Sequence, residues 1–236
     1  MKDNSQRGRI AQILLLVMLG LEVAMMISGL LQSSLLTKLE NGDYVSDQAI
    51  NLNDLREGVI GIAYFIAYVI SAVVYIQWFR RAYYNLHQKV NVLTYTEGWA
   101  AGGWFVPFLN LVRPYQIMRE LYVESKILLS RGQEERKSAN LIFINVWWGL
   151  WLVSNVYNNI VTRVVLDAES MDELILSTNL GIIGNIIGIP LAILAWKVVH
   201  DYALLEPELA LLDNDGEDDQ TIPSFKGRDD ILDVPI

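Results

Sequence analysis

Four long apolar stretches, separated by polar segments, dominate the hydropathy pattern of the chain. They cover residues 10–36, 58–79, 139–161 and 178–196, and Glu22 is the only formally charged residue within them. A helix needs about 20 apolar residues to cross a hydrocarbon core of roughly 30 Å. Helices buried in a soluble bundle would keep a polar outer face, whereas these stretches are apolar on nearly all sides. The pattern predicts an all-α integral membrane protein with four transmembrane helices.

Lysine and arginine set the orientation, because they are retained on the cytoplasmic side of short loops. With the N-terminus inside, fifteen of the eighteen basic residues fall on the inner side, and only Lys38, Arg56 and Arg163 lie outside. Residues 1–9 then form a cytoplasmic N-terminus and residues 80–138 a cytoplasmic loop. We expect a multi-pass protein of the cell membrane with both termini cytoplasmic.

The composition changes after the last apolar stretch. Residues 201–236 carry eleven acids against Lys226 and Arg228, and they include three prolines. No helical period is visible after about Leu212. Such a segment cannot bury enough apolar surface to fold, so the sequence predicts a four-span domain over residues 10–200 followed by a disordered acidic tail.

The predicted inner loop contains a fifth apolar run, residues 98–112, which is too short to span comfortably. Gly102, Gly103 and Pro107 would also interrupt a helix there. We expect a re-entrant or interfacial segment. Pro114 suits the first turn of a following amphipathic helix. The apolar face of that helix would contain Met118, Leu121, Tyr122, Ser125, Leu128 and Leu129.

Two stretches resemble a known bacterial membrane-protein family, domain of unknown function 4328. They are Trp78-Phe-Arg-Arg-Ala-Tyr-Tyr-Asn-Leu86 and the long run from Tyr95 to Leu121, Tyr-Thr-Glu-Gly-Trp-Ala-Ala-Gly-Gly-Trp-Phe-Val-Pro-Phe-Leu-Asn-Leu-Val-Arg-Pro-Tyr-Gln-Ile-Met-Arg-Glu-Leu. The similarity covers about residues 58–200. It implies a place in the bacterial cytoplasmic (inner) membrane and no particular reaction.

The motif gives four ligand or lipid candidates, Trp99, Trp104, Asn110 and Arg113. In one interpretation the tryptophans anchor at the interface and Arg113 extends to the headgroups. In the other, backbone amides freed by glycine and the Arg113 guanidinium form a pocket for an anionic headgroup or another anion. The residues alone leave both open.

Polar residues inside hydrocarbon must find partners or water. Glu22 lies about 18 Å from the inner end of the first stretch, near the midplane. Tyr64, Tyr68 and Tyr75 lie on one face of the second stretch, and depth arithmetic places Tyr68 level with Glu22. We expect Glu22 to pair with Tyr68, either as a purely structural contact or as part of proton or ligand handling.

The third and fourth stretches each carry an asparagine at a similar predicted depth. Asn155 and Asn185 both lie roughly 10 Å below the outer surface, which suggests a hydrogen bond between them. Gly184 and Gly188 form a G-x-x-x-G step, which is typical of close helix packing.

The overall charge, the histidine and cysteine content and the missing motifs argue against several classes of function. A pI near 4.7 argues against nucleic-acid binding. The chain has no cysteine and two histidines, and it lacks zinc-protease, nucleophile-elbow and nucleotide-binding motifs, so we predict no enzyme activity, metal or cofactor. The favoured function is a non-enzymatic membrane protein that binds membrane lipids or a partner membrane protein. The alternative is a small transporter or proton-linked permeation subunit that acts as a homo-oligomer or accessory unit.

Overall fold

The computed structural model describes residues 1–130 and 141–212, and the regular structure within these ranges is all helical. The helices are α1 Ser5–Glu40, α2 Asp47–His87, α3 Trp99–Gly102, α4 Arg113–Leu129, α5 Ile142–Leu166 and α6 Met171–Leu211, with a 3₁₀ turn at Leu109–Leu111. The all-α prediction is confirmed.

Three helices, α1, α2 and α6, are long and apolar enough to cross a membrane. Helix α5, with 25 residues that include four asparagines and Arg163, is not one of these three. Residues 139 and 140 of the predicted third span lie outside the described ranges. The predicted spans are thus supported by length and composition for three helices, and the fourth remains a prediction.

Capping residues extend the helices beyond the apolar stretches. Ser46 caps α2 by accepting a hydrogen bond from the backbone N–H of Ala49 at 3.3 Å. Ser170 begins α6 with a capping box, in which its side chain and that of Glu173 each accept from the other residue's backbone N–H. Helical structure therefore continues where the hydropathy pattern alone would place a loop.

The C-terminal end of α6 corrects the predicted boundary of the tail. Residues 201–211 are helical, because Tyr202 and Leu209 are fully buried and hold this part of the chain against the bundle. Residues 213–236, which carry most of the predicted disordered tail, lie outside the described ranges.

The four long helices form the series α2, α1, α6, α5, since α1 contacts both α2 and α6 and α5 contacts α6. At one end of the bundle, α4 packs against α2, α5 and α6. We call this the loop end, and the opposite end, with the turns 41–46 and 167–170, the hairpin end.

An aromatic core fills the loop end. Helix α4 begins with Pro114 in its first turn and buries the predicted apolar face, apart from Leu129, which is partly exposed. The largest fully buried side chains of the core are Trp78, Tyr83, Tyr202, Phe79, Leu86 and Ile117. Within the described part of the predicted inner loop, residues 113–129 thus form a helix whose apolar side packs into this core, and its cytoplasmic location remains a prediction.

Candidate functional site

Glu22 lies in the middle of α1 and is only 8% exposed. Its carboxyl group accepts a hydrogen bond from the hydroxyl of Tyr64 at 2.7 Å. With its nitrogen oriented toward Glu22, the Asn185 amide donates to Oε2 at 3.2 Å and accepts from the backbone N–H of Met26 at 3.3 Å. Side chains of α2 and α6 therefore converge on one carboxyl of α1.

Glycine makes room for this carboxyl group on α6. A Cβ atom at Gly188 would lie 2.5 Å from the Glu22 carboxyl carbon, closer than real Cβ contacts. A Cβ at Gly184 would meet the ring of Tyr157 on α5 at 3.4 Å. The G-x-x-x-G step thus brings α6 close to α1 at one glycine and to α5 at the other.

The expected partner of Glu22 was wrong by one helical turn. Tyr68 is 56% exposed, and Tyr64 takes its place. Counting residues from the ends of the apolar stretches does not give the relative heights of two helices to within one turn, because α1 and α2 begin at Ser5 and Asp47, outside those stretches. Tyr75, the third tyrosine of the stripe, is buried in the core.

The expected hydrogen bond between Asn155 and Asn185 was also wrong. The Asn155 amide donates to the carbonyl of Trp151 in its own helix at 2.8 Å, while Asn185 faces Glu22. Similar depth gives no information about which face of a helix a side chain occupies.

A second polar cluster joins α1 and α2 nearer the hairpin end. The Arg56 guanidinium donates from Nε to Ser28 Oγ at 2.8 Å and from one terminal nitrogen to Asn53 Oδ1 at 2.6 Å. The hydroxyl of Ser28 in turn donates to Glu57. The orientation rule places Arg56 in an outer loop, whereas Arg56 and Glu57 both belong to α2, which begins after the Ser46 cap. Ser46 directly before Asp47 is the sequence signal for this earlier helix start.

Trp104 lies between α2 and α5. Its ring centroid is 5.7 Å from that of Tyr75, 5.9 Å from Trp148 and 5.8 Å from Trp151. The indole N–H is buried without an acceptor in the described ranges. Segment 98–112 therefore fills space between two of the long helices.

The same segment presents an exposed apolar tip. Phe105 is 75% exposed and Phe108 is 84% exposed, on either side of Val106 and Pro107. Phe108 has φ 63°, a left-handed conformation that is rare outside glycine. We call residues 105–108 the phenylalanine tip.

Arg113 packs on aromatic rings at the base of this segment. Its guanidinium carbon lies 4.3 Å from the Tyr95 ring centroid and 5.3 Å from that of Trp99. A Cβ at Gly103 would lie 3.1 Å from Arg113 Cγ and 2.8 Å from the Trp99 carbonyl, so the glycine permits this packing. Asn110 is partly exposed on the 3₁₀ turn. The guanidinium therefore stacks on rings at the base of the phenylalanine tip, and both interpretations of the motif stay predictions.

Glu120 on α4 fixes the preceding loop. It accepts from the Tyr83 hydroxyl and from the backbone N–H of Thr94, the latter at 2.7 Å. Burial, followed by the contact with Glu120, raises the pKa of Tyr83. The hydroxyl consequently stays protonated and serves as a donor at neutral pH.

The N-terminal residues are tied to α2 and α6. The Asn85 amide donates to Glu206 at 2.7 Å, and the Asn4 amide donates to the same carboxyl at 3.0 Å. Burial raises the pKa of Glu206, while the bonds from Asn85 and Asn4 oppose that rise. Asn85 also exchanges two bonds of 2.8 Å with the backbone of Lys2.

A pocket of about 280 Å³ opens beside this N-terminal segment. We call it the basic pocket, and its lining includes Lys2, Arg7, Arg80, Arg81, Tyr84 and Glu97. In the sequence these cations indicate the orientation of the chain, and none of them belongs to a recognisable site motif. They come from two distant parts of the chain, the N-terminal segment and α2, so no local motif could have identified the pocket.

The two histidines lie in separate environments. His87 Nε2 is 3.0 Å from the Tyr95 carbonyl, and His200 stacks on Trp196 with centroids 4.7 Å apart. Within residues 1–130 and 141–212, no group of three or more histidines, cysteines or acids could hold a metal ion.

The family model described as Domain of unknown function (DUF4328) matches residues 41–203. This range, more than half of the chain, contains segment 98–112 and all of α2, α4 and α5. The chain matches no curated protein and no solved structure.

Proposed function

The chain belongs to the family described as Domain of unknown function (DUF4328), and we propose that it is a non-enzymatic, four-span membrane protein that binds membrane lipid through its predicted cytoplasmic loop. In this account both termini lie in the cytoplasm and the loop end of the bundle faces the inner leaflet. The bias of fifteen inner to three outer basic residues supports that orientation.

The hydrogen bonding of α5 supports its role as the fourth span. The amides of Asn155 and Asn159 donate to carbonyls four residues earlier in the same helix, at 2.8 and 3.0 Å. Amides that are satisfied within their own helix cost less in hydrocarbon than free ones. At about 1.5 Å per residue, 25 residues reach roughly 37 Å, enough to cross the core.

The single observation that carries lipid binding is the phenylalanine tip. In water, two neighbouring phenylalanines that are 75% and 84% exposed would be costly, since a fully buried phenylalanine contributes about 1.5 to 3 kcal/mol. In the inner leaflet the same rings would contact acyl chains. The buried ring of Trp104 and the stacked Arg113 anchor the tip to the bundle.

Mass spectrometry of the protein released from native membrane vesicles tests the proposal. Retained lipid on wild type, and reduced retention on a Phe105→Ser/Phe108→Ser variant, is the expected result. A Tyr44→Ser variant is the control, because Tyr44 is 94% exposed in the turn at the hairpin end. The same spectra report homo-oligomers and bound membrane proteins. If the spectra show a bound partner protein and no lipid, the proposed lipid binding is wrong and the protein binds a partner instead.

A second function, proton-linked permeation, draws support from the carboxyl of Glu22 between three helices. Glu22→Gln keeps the hydrogen-bonding shape but cannot titrate. Proton flux into proteoliposomes that is present in wild type and lost in this variant would favour permeation. Equal flux in both, which lipid binding predicts, would leave Glu22 a structural residue.

A further inference from the structure

The basic pocket carries an excess of positive charge. Its lining contains four cations, Lys2, Arg7, Arg80 and Arg81, and one acid, Glu97, which pairs with Arg80 at 3.0 Å. Two acids behind the lining also attract these cations, Asp3 attracting Arg7 and Glu206 attracting Arg81. In the described ranges, the other three cations form no ion pair within 4 Å. Cations that crowd one cavity repel each other, and a bound anion would offset that repulsion.

The walls of the basic pocket are held in place before any ligand arrives. The two bonds of 2.8 Å between Asn85 and the backbone of Lys2 fix the N-terminal segment on α2. The Tyr84 ring lies 5.0 Å from Lys2 Nζ and 5.7 Å from the Arg81 guanidinium carbon, so one ring orients both cations. A site that is already ordered loses little conformational entropy on binding.

The height of the pocket points to lipid as the source of the anion. Arg80 follows directly after the second predicted span, and Arg7 precedes the first by three residues, or about 4.5 Å. Headgroups occupy roughly 5 to 7 Å on each side of the hydrocarbon core. Both arginines would therefore lie in the inner headgroup layer.

From the positive charge of the basic pocket, its ordered walls and its height at the headgroup layer, we propose that it binds the phosphate-bearing headgroup of an anionic phospholipid in the inner leaflet. This inference rests on the proposed function and adds the lipid class. About 280 Å³ admits a headgroup, while the acyl chains would lie along the exposed Ile10 and Ile13 of α1. The arginine guanidinium matches phosphate through paired N–H donors.

To test this, the full-length protein is mixed in mild detergent with equal amounts of phosphatidylglycerol and phosphatidylcholine. Native mass spectrometry then counts the bound molecules of each lipid. Wild type should retain phosphatidylglycerol preferentially. Arg81→Gln should reduce the preference about fivefold, and Arg7→Gln/Arg81→Gln roughly twentyfold, as expected for surface cations near anionic lipid. Lys126→Gln on α4, which also removes one cation but lies outside the pocket lining, should leave it unchanged.

Arg81→Lys keeps the positive charge at this position, and it therefore distinguishes a loss of charge from a loss of folded structure. This variant should keep most of the preference, and circular dichroism should show unchanged helix in all variants. Lipid retained without a headgroup preference would overturn the anionic assignment while leaving lipid binding intact. No retained lipid at all would overturn the proposed function itself. Displacement by free glycerol phosphate at concentrations equal to that of the lipid would assign the pocket to a soluble phosphate and reject the lipid.

Discussion

Gly188 lies directly against the carboxyl group of Glu22, so closely that a Cβ atom at position 188 would be 2.5 Å from the carboxyl carbon. The absence of a side chain at Gly188 on α6 therefore leaves the space that the Glu22 carboxyl group of α1 occupies. The Tyr64 hydroxyl, 2.7 Å from the same carboxyl, completes the contact among three helices.

Gly188→Ala should therefore destabilise the protein. The added methyl must displace a carboxyl that two helices hold, and overpacking of this kind costs about 1 to 3 kcal/mol. Unfolding by SDS titration in mixed micelles measures the change. Gly181→Ala is the matched control, because a Cβ there meets nothing within 4 Å, and it should be neutral or slightly stabilising. Equal stability of the two variants would reject the close contact.

Tyr64→Phe should remove one hydrogen bond from Glu22 and lower the free energy of unfolding by about 0.6 to 2 kcal/mol. The same micelle titration applies. Tyr68→Phe should have no measurable effect, because Tyr68 is 56% exposed on the same helix. A larger loss from Tyr68→Phe would restore the pairing that depth arithmetic suggested.

The exchange of Tyr64 for the expected Tyr68 shows which structural features the sequence could predict and which it could not. Hydropathy gave the long apolar stretches, and helical period gave the buried face of α4. Residue counting along the spans pointed Glu22 to the tyrosines of α2 but could not choose between Tyr64 and Tyr68, which lie one helical turn apart.

The basic pocket shows a second limit. Its cations lie at residues 2, 7, 80 and 81, and the bonds of Asn85 to Lys2 bring them together. Sequence spacing reveals a site when one helix or loop presents its residues. It cannot reveal one that forms only when the N-terminus docks on a distant helix.

Glu206 gives the protein a specific pH dependence. Its folded-state pKa is raised above the ordinary 4.5 by burial, so its contribution to stability is present at low pH and is lost as pH rises through the raised pKa. Thermal melts of wild type and Glu206→Gln should therefore diverge above about pH 4.5, with the glutamine variant gaining relative stability. If the variant instead loses stability relative to wild type as pH rises, the pKa of Glu206 is lowered in the folded state, and the predicted direction of its pH dependence is wrong.

The phenylalanine tip can be located with a spin label, since the chain contains no cysteine. A label on Phe108→Cys should collide with oxygen dissolved in the bilayer and be protected from a water-soluble nickel complex. A label on Gln88→Cys, in the exposed turn after α2, should show the opposite pattern. Full nickel access at both positions would place the tip in water.

The most direct test of the four-span account is topology, because lipid binding at the inner leaflet requires the loop end to be cytoplasmic. Single cysteines at Asp47, Gln88 and Glu169 can be probed in intact cells with an impermeant thiol reagent. The account predicts labelling from outside at Asp47, which follows the first hairpin turn, and at Glu169, which lies within the second, and protection at Gln88 until the cells are lysed. Protection at Glu169 would show that α5 does not cross the membrane, and labelling of Gln88 from outside would contradict the orientation.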